Sequence, residues 1–434
     1  MSWIGALIAM LAGPVLAGDG YQVLEGHGGP VKGVAVSGDR SRALTASFDY
    51  SVGLWDLQNG DLIRWLEGHE AAANATAFLS NGRAVSGGDD FALILWDLTT
   101  GAILRRMEGH QGKVIAVAAS SDGRLIASSG WDGRAAIWPV AGGDPIWLEG
   151  HKANVNAAVF AEDGTLYTAS YDGTIRHWTA DGDLKSTLVS HGFGVNNLVL
   201  NEASRWLAYG ALDGTVRAVS LDTREALADL TADRKPILAL AATSGKDRIA
   251  VGDGEGFIMV IDTTNWSILH DFRAAKTGPI WALAWDGDER LLAGGLSDSA
   301  ALWPVGGEAS LFTEGERVFH RDPTTMSNGE RQFTRKCAIC HDLEPGPSRR
   351  AGPSLYGVFG RRAGTVSGYS YSDSLAKSEI VWGPETIDKL FDLGPDHYTP
   401  GSKMPMQRIA KPEDRLDLIA FLRENTGPDT GESQ

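Results

Sequence analysis

Cys337-Ala338-Ile339-Cys340-His341 is the stretch of this sequence that carries recognisable chemistry. Two thiols three residues apart, followed at once by an imidazole, make the C-x-x-C-H pattern through which haem of the c type is attached. The thiols add across the vinyl groups of the porphyrin, and the adjacent histidine sets an imidazole over the iron. Two other chemistries use paired cysteines. A zinc site needs two further ligands at similar spacing, and the chain has no third Cys. A thioredoxin-like dithiol belongs in a βαβ context, whereas this motif sits in a stretch that reads as helical. Haem uses both cysteines, so no disulfide is expected and no thiol is left over.

The elements around the motif narrow the reading. Gly329-Glu-Arg-Gln-Phe333 precedes it, and Gly352-Pro353-Ser354-Leu355 follows. Then come Gly360-Arg361, Gly368-Tyr369-Ser370-Tyr371, Val381-Trp382, Pro400-Gly401-Ser402-Lys403-Met404-Pro405 and the closing Asp417-Leu-Ile-Ala-Phe-Leu422. From about Thr324 to Thr426 the chain resembles a class I cytochrome c of the mitochondrial and bacterial cytochrome c2 type. The resemblance implies a small all-α domain holding one covalent haem c. It makes Met404 the distal iron ligand; a thioether opposite histidine stabilises ferrous iron. Met406 and His397 lie nearby as weaker candidates. It makes the Pro353 carbonyl the acceptor of the axial imidazole's other N–H, a bond that fixes the ring. Arg361, Tyr371, Trp382 and Ser402 match positions that hold the haem propionates, carboxylates that need donors once out of water. Gly329 and Phe333 should meet Leu418 and Phe421 where the terminal helices cross. Two departures stand out. The family's Tyr that reaches the Met sulfur falls near Leu390 or Phe391, and Leu375 replaces a buried Asn, so a more apolar pocket is expected.

The rest of the chain has a different character. The sequence of 434 residues carries a net charge of −16. Residues 1–314 hold 23 basic and 38 acidic side chains, and residues 315–434 hold 16 and 17. The acidity belongs to the first part, which disfavours nucleic acid as a partner. Residues 1–18 carry no charged side chain, and Val15-Leu16-Ala17 offers small-residue cleavage after Ala17. The stretch is short for a membrane span and is broken by Gly13-Pro14. A leader over 1–17 and a periplasmic location are expected, with an uncleaved membrane anchor as the alternative. Thioether attachment in bacteria takes place outside the cytoplasm, which agrees.

Between them lies a repeat. Gly-His pairs end at His27, His69, His110, His151 and His191, at spacings of 40 to 42. Strand-end positions recur in step at Trp55, Trp96, Trp138, Trp178, Val219, Ile261 and Trp303. This resembles the WD-repeat family, with four strands per blade, and seven units imply a seven-bladed β-propeller over 18–312. Six residues before the Trp stands Asp49, Asp90, Asp132 or Asp172, and four before each Asp stands Thr45, Ser86, Ser128 or Thr168. The family's His–Ser/Thr–Trp–Asp hydrogen-bond set is implied at these residues, which makes the histidines structural. The set decays from blade five on, where Tyr209 and Val219 intervene. In blade six Glu255 takes the Asp position, with no His to meet it. Closure is open between Tyr21–Leu24 and Ala309–Phe312. Residues 313–323 read as a linker to a mobile second domain, 324–427, and 428–434 as a disordered tail.

Two all-β and all-α domains joined this way imply a one-electron carrier with a propeller that docks a redox protein. Propeller–cytochrome nitrite reductases are the enzymatic alternative, though theirs is an eight-bladed propeller with a second haem. That reading would need a ligand outside the Gly-His set, and only His177 and His270 in the propeller region qualify. A haem-based redox sensor that releases Met404 is the third reading. No stable membrane span is expected.

Overall fold

The computed structural model describes residues 22–230, 234–275, 278–305, 326–338, 340–346, 350, 352–369, 371–402, 404 and 408–427. The expected leader, linker and tail lie outside the described residues. The first part forms seven four-stranded antiparallel sheets. Blade one is built from Val31–Val36, Arg42–Ser47, Ser51–Asp56 and Leu62–Glu67. Blades two to six repeat that order, inner strand to outer strand. Blade seven takes Ile280–Asp286, Arg290–Gly295 and Ser299–Pro304 from the end of the propeller, and Gln22–Glu25 from its start. The N-terminal strand pairs with the third strand, Gln22 opposite Leu302 and Glu25 opposite Ser299. The open question of closure is thereby answered, and the ring leaves no blade short of a strand.

Middle strands such as Leu93–Asp97 are sandwiched between neighbouring blades, so Leu93, Ile94, Leu95 and Trp96 are all buried. Outer strands such as Ile103–Met107 have neighbours on fewer sides and start exposed. The inner strand of every blade shifts register at the same place: Val31/Gly33, Ala73/Ala75, Val114/Ala116, Val155/Ala157, Val195/Asn197, Ile237/Ala239 and Ile280/Ala282. A bulge bends and twists its strand. Its sevenfold recurrence shows that blades five to seven keep the repeat's geometry after losing its polar residues.

The hydrogen-bond set is complete in four blades. In blade one His27 meets Thr45 at 2.6 Å and Asp49 at 2.9 Å, while the Trp55 indole donates to Thr45 at 2.7 Å. Blades two, three and four repeat this around His69, His110 and His151. In blade five the ring of His191 is turned over: Nε2 meets Asp213 at 3.1 Å and Nδ1 meets the Tyr209 hydroxyl at 3.3 Å. Blade six relies on a residue the repeat spacing did not pick out. Buried Asp253, not Glu255, accepts from the backbone of Glu255 and Phe257 at 2.9 Å, and Arg234 donates to it at 3.0 Å.

The helical part comprises α1 (Asn328–Lys336), α2 (Asp373–Ala376), α3 (Pro384–Leu393), α4 (Pro395–Tyr398) and α5 (Pro412–Asn425). Ser327 caps α1 by accepting from the Glu330 N–H, and Pro384 and Pro412 open α3 and α5, where a missing N–H costs nothing. α1 crosses α5 as expected. A methyl on Gly329 would lie 2.8 Å from Phe421 Cβ and closer still to the Asp417 carbonyl, so only glycine lets the helices touch. The Phe333 and Phe421 rings lie tilted against each other at 5.4 Å, and Leu418 is fully buried. Arg415 ties α5 to α3 through Asp388 at 2.7 Å. No helix among the described residues is long and apolar enough to cross a membrane.

Candidate functional site

The cysteines follow directly from α1. Cys337 N–H donates to Phe333 O at 2.8 Å, and His341 N–H to Cys337 O at 2.8 Å, so the last helical turn winds into the motif. This brings both sulfurs and the imidazole to one wall of a cleft of about 1160 Å³, counted out to its open mouth. The residues expected to attach, ligate or surround the haem line that cleft: Cys337, Cys340, His341, Pro353, Arg361, Tyr371, Trp382, Ser402 and Met404. Leu375, Ile387, Leu390, Phe391 and Leu422 supply an apolar wall, as the expectation of a more apolar pocket required. His397 is exposed on α4 and does not line the cleft, and Met406 lies outside the described residues.

His341 is held in a defined orientation. Its Nδ1 donates to the Pro353 carbonyl at 2.7 Å, which leaves Nε2 as the lone-pair nitrogen. Burial pulls its pKa below the ordinary value, so the ring is neutral at neutral pH. Gly352 packs flat on it; a Cβ there would meet Cε1, so no other residue allows this ring position. Burial also pushes the Cys337 thiol up to about 12 and the Cys340 thiol up to about 11. A redox dithiol depends on a depressed pKa, so this environment does not suit that chemistry.

The polar side of the cleft is braced by backbone. Arg361 donates to Tyr356 O at 2.6 Å and Ser354 O at 2.9 Å. The Tyr371 hydroxyl accepts from Val366 N–H at 3.2 Å, and the Thr399 hydroxyl donates to Ser402 at 3.2 Å. In the propeller, His177 shares a hydrogen bond with Thr165 at 2.8 Å and stacks on Tyr167 at 4.1 Å, while His270 lies on an outermost strand. Both rings stand away from the cleft.

One lining residue comes from the other domain. Tyr50, in the hairpin between Arg42–Ser47 and Ser51–Asp56, reaches the cleft and shares a hydrogen bond with Tyr369. The charge of Asp298, at the matching hairpin position of blade seven, is felt at Arg350, whose guanidinium donates to the Ala338 carbonyl. The sequence held one sign of this. The residue after the repeat's acidic position is Gly133, Gly173, Gly214 and Gly256 in blades three to six, all with positive φ. In blade one that left-handed position, φ 73°, is occupied by a large side chain, which a backbone of this kind tolerates only at a cost.

Fold and cleft together define a class: a WD-type propeller joined to a small helical domain built around a C-x-x-C-H motif. The cytochrome c family model matches residues 326–426, and the WD domain, G-beta repeat model matches 18–56, 60–97, 101–139 and 146–179. Those four matches coincide with the four blades that keep the full hydrogen-bond set. Cytochrome c of Sesamum indicum is 43% identical over 104 residues, 24% of this chain and 93% of that protein. Cytochrome c of Ginkgo biloba is 41% identical over 104 residues, 24% and 91%, and that of Chlamydomonas reinhardtii 42% over 101 residues, 23% and 89%. The chain belongs to the cytochrome c family through this C-terminal domain and carries WD repeats ahead of it. A cytochrome c domain implies haem c and haem electron transfer, and a WD-repeat propeller implies interaction with other proteins.

Proposed function

We propose that this chain is an exported single-electron carrier of the periplasm, with one covalent haem held between His341 and Met404, and that its propeller docks the redox protein it serves. The carrying observation is the Pro353 carbonyl fixing His341 by Nδ1, in a cleft that both cysteines and Met404 also line. The donor set fits the group: two sulfurs for thioethers, one oriented neutral imidazole given room by Gly352, and one thioether. Haem, when bound, supplies the one-electron Fe(III)/Fe(II) couple. Pro353 holds the imidazole in one tautomer and one orientation. Met404 would hold the iron together with His341 and leave no coordination site for substrate, which favours a carrier over the nitrite-reductase and sensor readings. Arg361, Tyr371, Trp382 and Ser402 serve the propionates, and Leu375, Leu390 and Phe391 keep water from the apolar side. The uncharged stretch before Gly18 supports export.

The intact mass of the denatured exported protein tests this. It should match the chain from Gly18 plus one haem, and a chain starting at Met1 or lacking the haem mass contradicts the corresponding part. Replacing Met404 with Ala should keep the haem, lower the potential and admit small ligands. Rapid binding of such ligands by the unmodified protein would overturn the carrier assignment.

A further inference from the structure

We propose that the propeller supplies part of the cytochrome's cleft: Tyr50 of blade one caps its mouth beside Cys340, fixes Tyr369 by a hydrogen bond, and keeps water and outer-sphere reagents from that side. Three observations carry this. Tyr50 stands in the cleft lining next to Cys340, Tyr369 and Tyr371. It is a bulky side chain held at φ 73°, where four other blades place glycine, and such strain persists where the surroundings compensate it. Charge attraction between Asp298, at the same hairpin position of the neighbouring blade, and Arg350 acts on the same side of the helical domain. The cap is also braced by the neighbouring blade, because Phe48, two residues before it, stacks on Trp281 of blade seven at 5.6 Å.

The side chains on the cytochrome side are linked to the cap. Tyr369 packs edge-on against Tyr371 at 4.7 Å, and Tyr371 in turn receives the Val366 N–H. Removing Tyr50 therefore loosens a run of contacts from Tyr369 to Val366. The Arg350 guanidinium donates to the Ala338 carbonyl, within the charge field of Asp298. On this side the propeller and cytochrome present one joint surface, and a partner approaching Cys340 meets blade one before it meets the cleft.

The inference rests on the proposed function only where it concerns haem, and its test separates the two. Full-length protein is compared with Tyr50→Phe, which loses the hydroxyl but keeps the cover, and Tyr50→Gly, which loses both and suits the left-handed backbone. Phe91→Gly is the control: it holds the same turn position in blade two, at φ 64°, but is 44% exposed and outside the cleft. Amide exchange at Val366 needs no haem. It should quicken about tenfold in Tyr50→Gly, less in Tyr50→Phe, and not in Phe91→Gly, as for a locally opened segment. Oxidation of the reduced protein by hexacyanoferrate(III) should speed up severalfold in Tyr50→Gly and stay unchanged in Tyr50→Phe and Phe91→Gly. If Tyr50→Gly, folded with an unchanged melting temperature, matches the parent in both measurements, the cap is refuted. A chain isolated without haem would defeat the carrier assignment, while the exchange data would still decide the cap.

Discussion

The histidines of the two domains are used in opposite ways. In blades one to four both ring nitrogens are engaged: His110, for instance, meets Asp132 through Nδ1 at 2.9 Å and Ser128 through Nε2 at 2.7 Å. His341 is tied at Nδ1 alone, to Pro353 at 2.7 Å, and its other nitrogen belongs to the cleft wall. A ring satisfied at both ends is a strut between strands, and its worth lies in buried hydrogen bonds. A ring satisfied at one end and buried at a cavity is a pre-oriented ligand. Residue type is the same in the two cases; the count of engaged nitrogens separates them.

The largest effect that can break this distinction is on cofactor content. His341→Ala should abolish the visible spectrum of a haem with two axial ligands. His110→Ala should leave haem content per chain unchanged while lowering the melting temperature. Absorbance per unit protein measures both. Haem loss in His110→Ala, with the propeller still folded, would mean that a blade histidine bears on the cleft and the division is wrong.

Next in size is the strut itself. Asp132→Ala strips His110 Nδ1, Gln111 N–H and Arg134 of their shared acceptor. Leaving such buried donors unmade costs about 1–3 kcal/mol, read from denaturant midpoints. Acid gives the same test without mutation. Although burial alone would raise them, hydrogen bonds and charge attraction to the histidines leave the Asp49, Asp90, Asp132 and Asp172 carboxyls below the ordinary 3.8, Asp90 at about 2. A carboxyl depressed on folding stabilises fully above its unfolded value and loses that contribution as pH falls through the folded one. Stability should therefore drop between about pH 4 and pH 2, and less steeply in Asp132→Ala than in the parent. Parallel acid curves for the two would show that this carboxylate contributes nothing to the slope.

What could be read from the sequence followed from how local each feature is. Cys337, Cys340 and His341 sit within five residues, so their chemistry was legible at once. The propeller was legible because its polar set recurs with fixed spacing in four blades. Closure was not, since Gln22 and Leu302 meet across 280 residues and two segments could have filled the slot. Nor was the seating of one domain on the other. Tyr50 and Tyr369 share no repeat, and the only hint was a tyrosine where other blades place glycine. Lys336, Arg349, Arg350, Lys403 and Arg408, near the motif and the Met404 segment, suggest from sequence a basic rim at the haem edge. Lys336 does line the cleft, Arg350 bonds the Ala338 carbonyl and Arg408 the Asp392 carbonyl, while Arg349 and Lys403 lie outside the described residues.

The smallest predicted effect sharpens the comparison within the propeller, between blades that keep the histidine set and one that does not. Repeat spacing assigns Glu255 to the acidic position of blade six, but its carboxylate has only a distant surface partner, Lys235 at 3.7 Å, with both side chains more than half exposed. Exposed pairs of this kind contribute about 0–1 kcal/mol. Glu255→Ala should accordingly shift the denaturant midpoint by less than Asp132→Ala does. The acid that anchors blade six is Asp253, two residues earlier, whose carboxylate is 4% exposed and pairs with Arg234 at 3.0 Å. Arg234 also pairs with Asp271, so losing Asp253 does not leave the guanidinium wholly unpaired. Asp253→Ala should then cost about 3 kcal/mol, the lower end for breaking a buried pair. Measured side by side, the two substitutions decide whether blade six replaced the histidine set or simply lost it. A Glu255→Ala midpoint shift equal to that of Asp253→Ala would return the acidic role to the position that spacing alone selects.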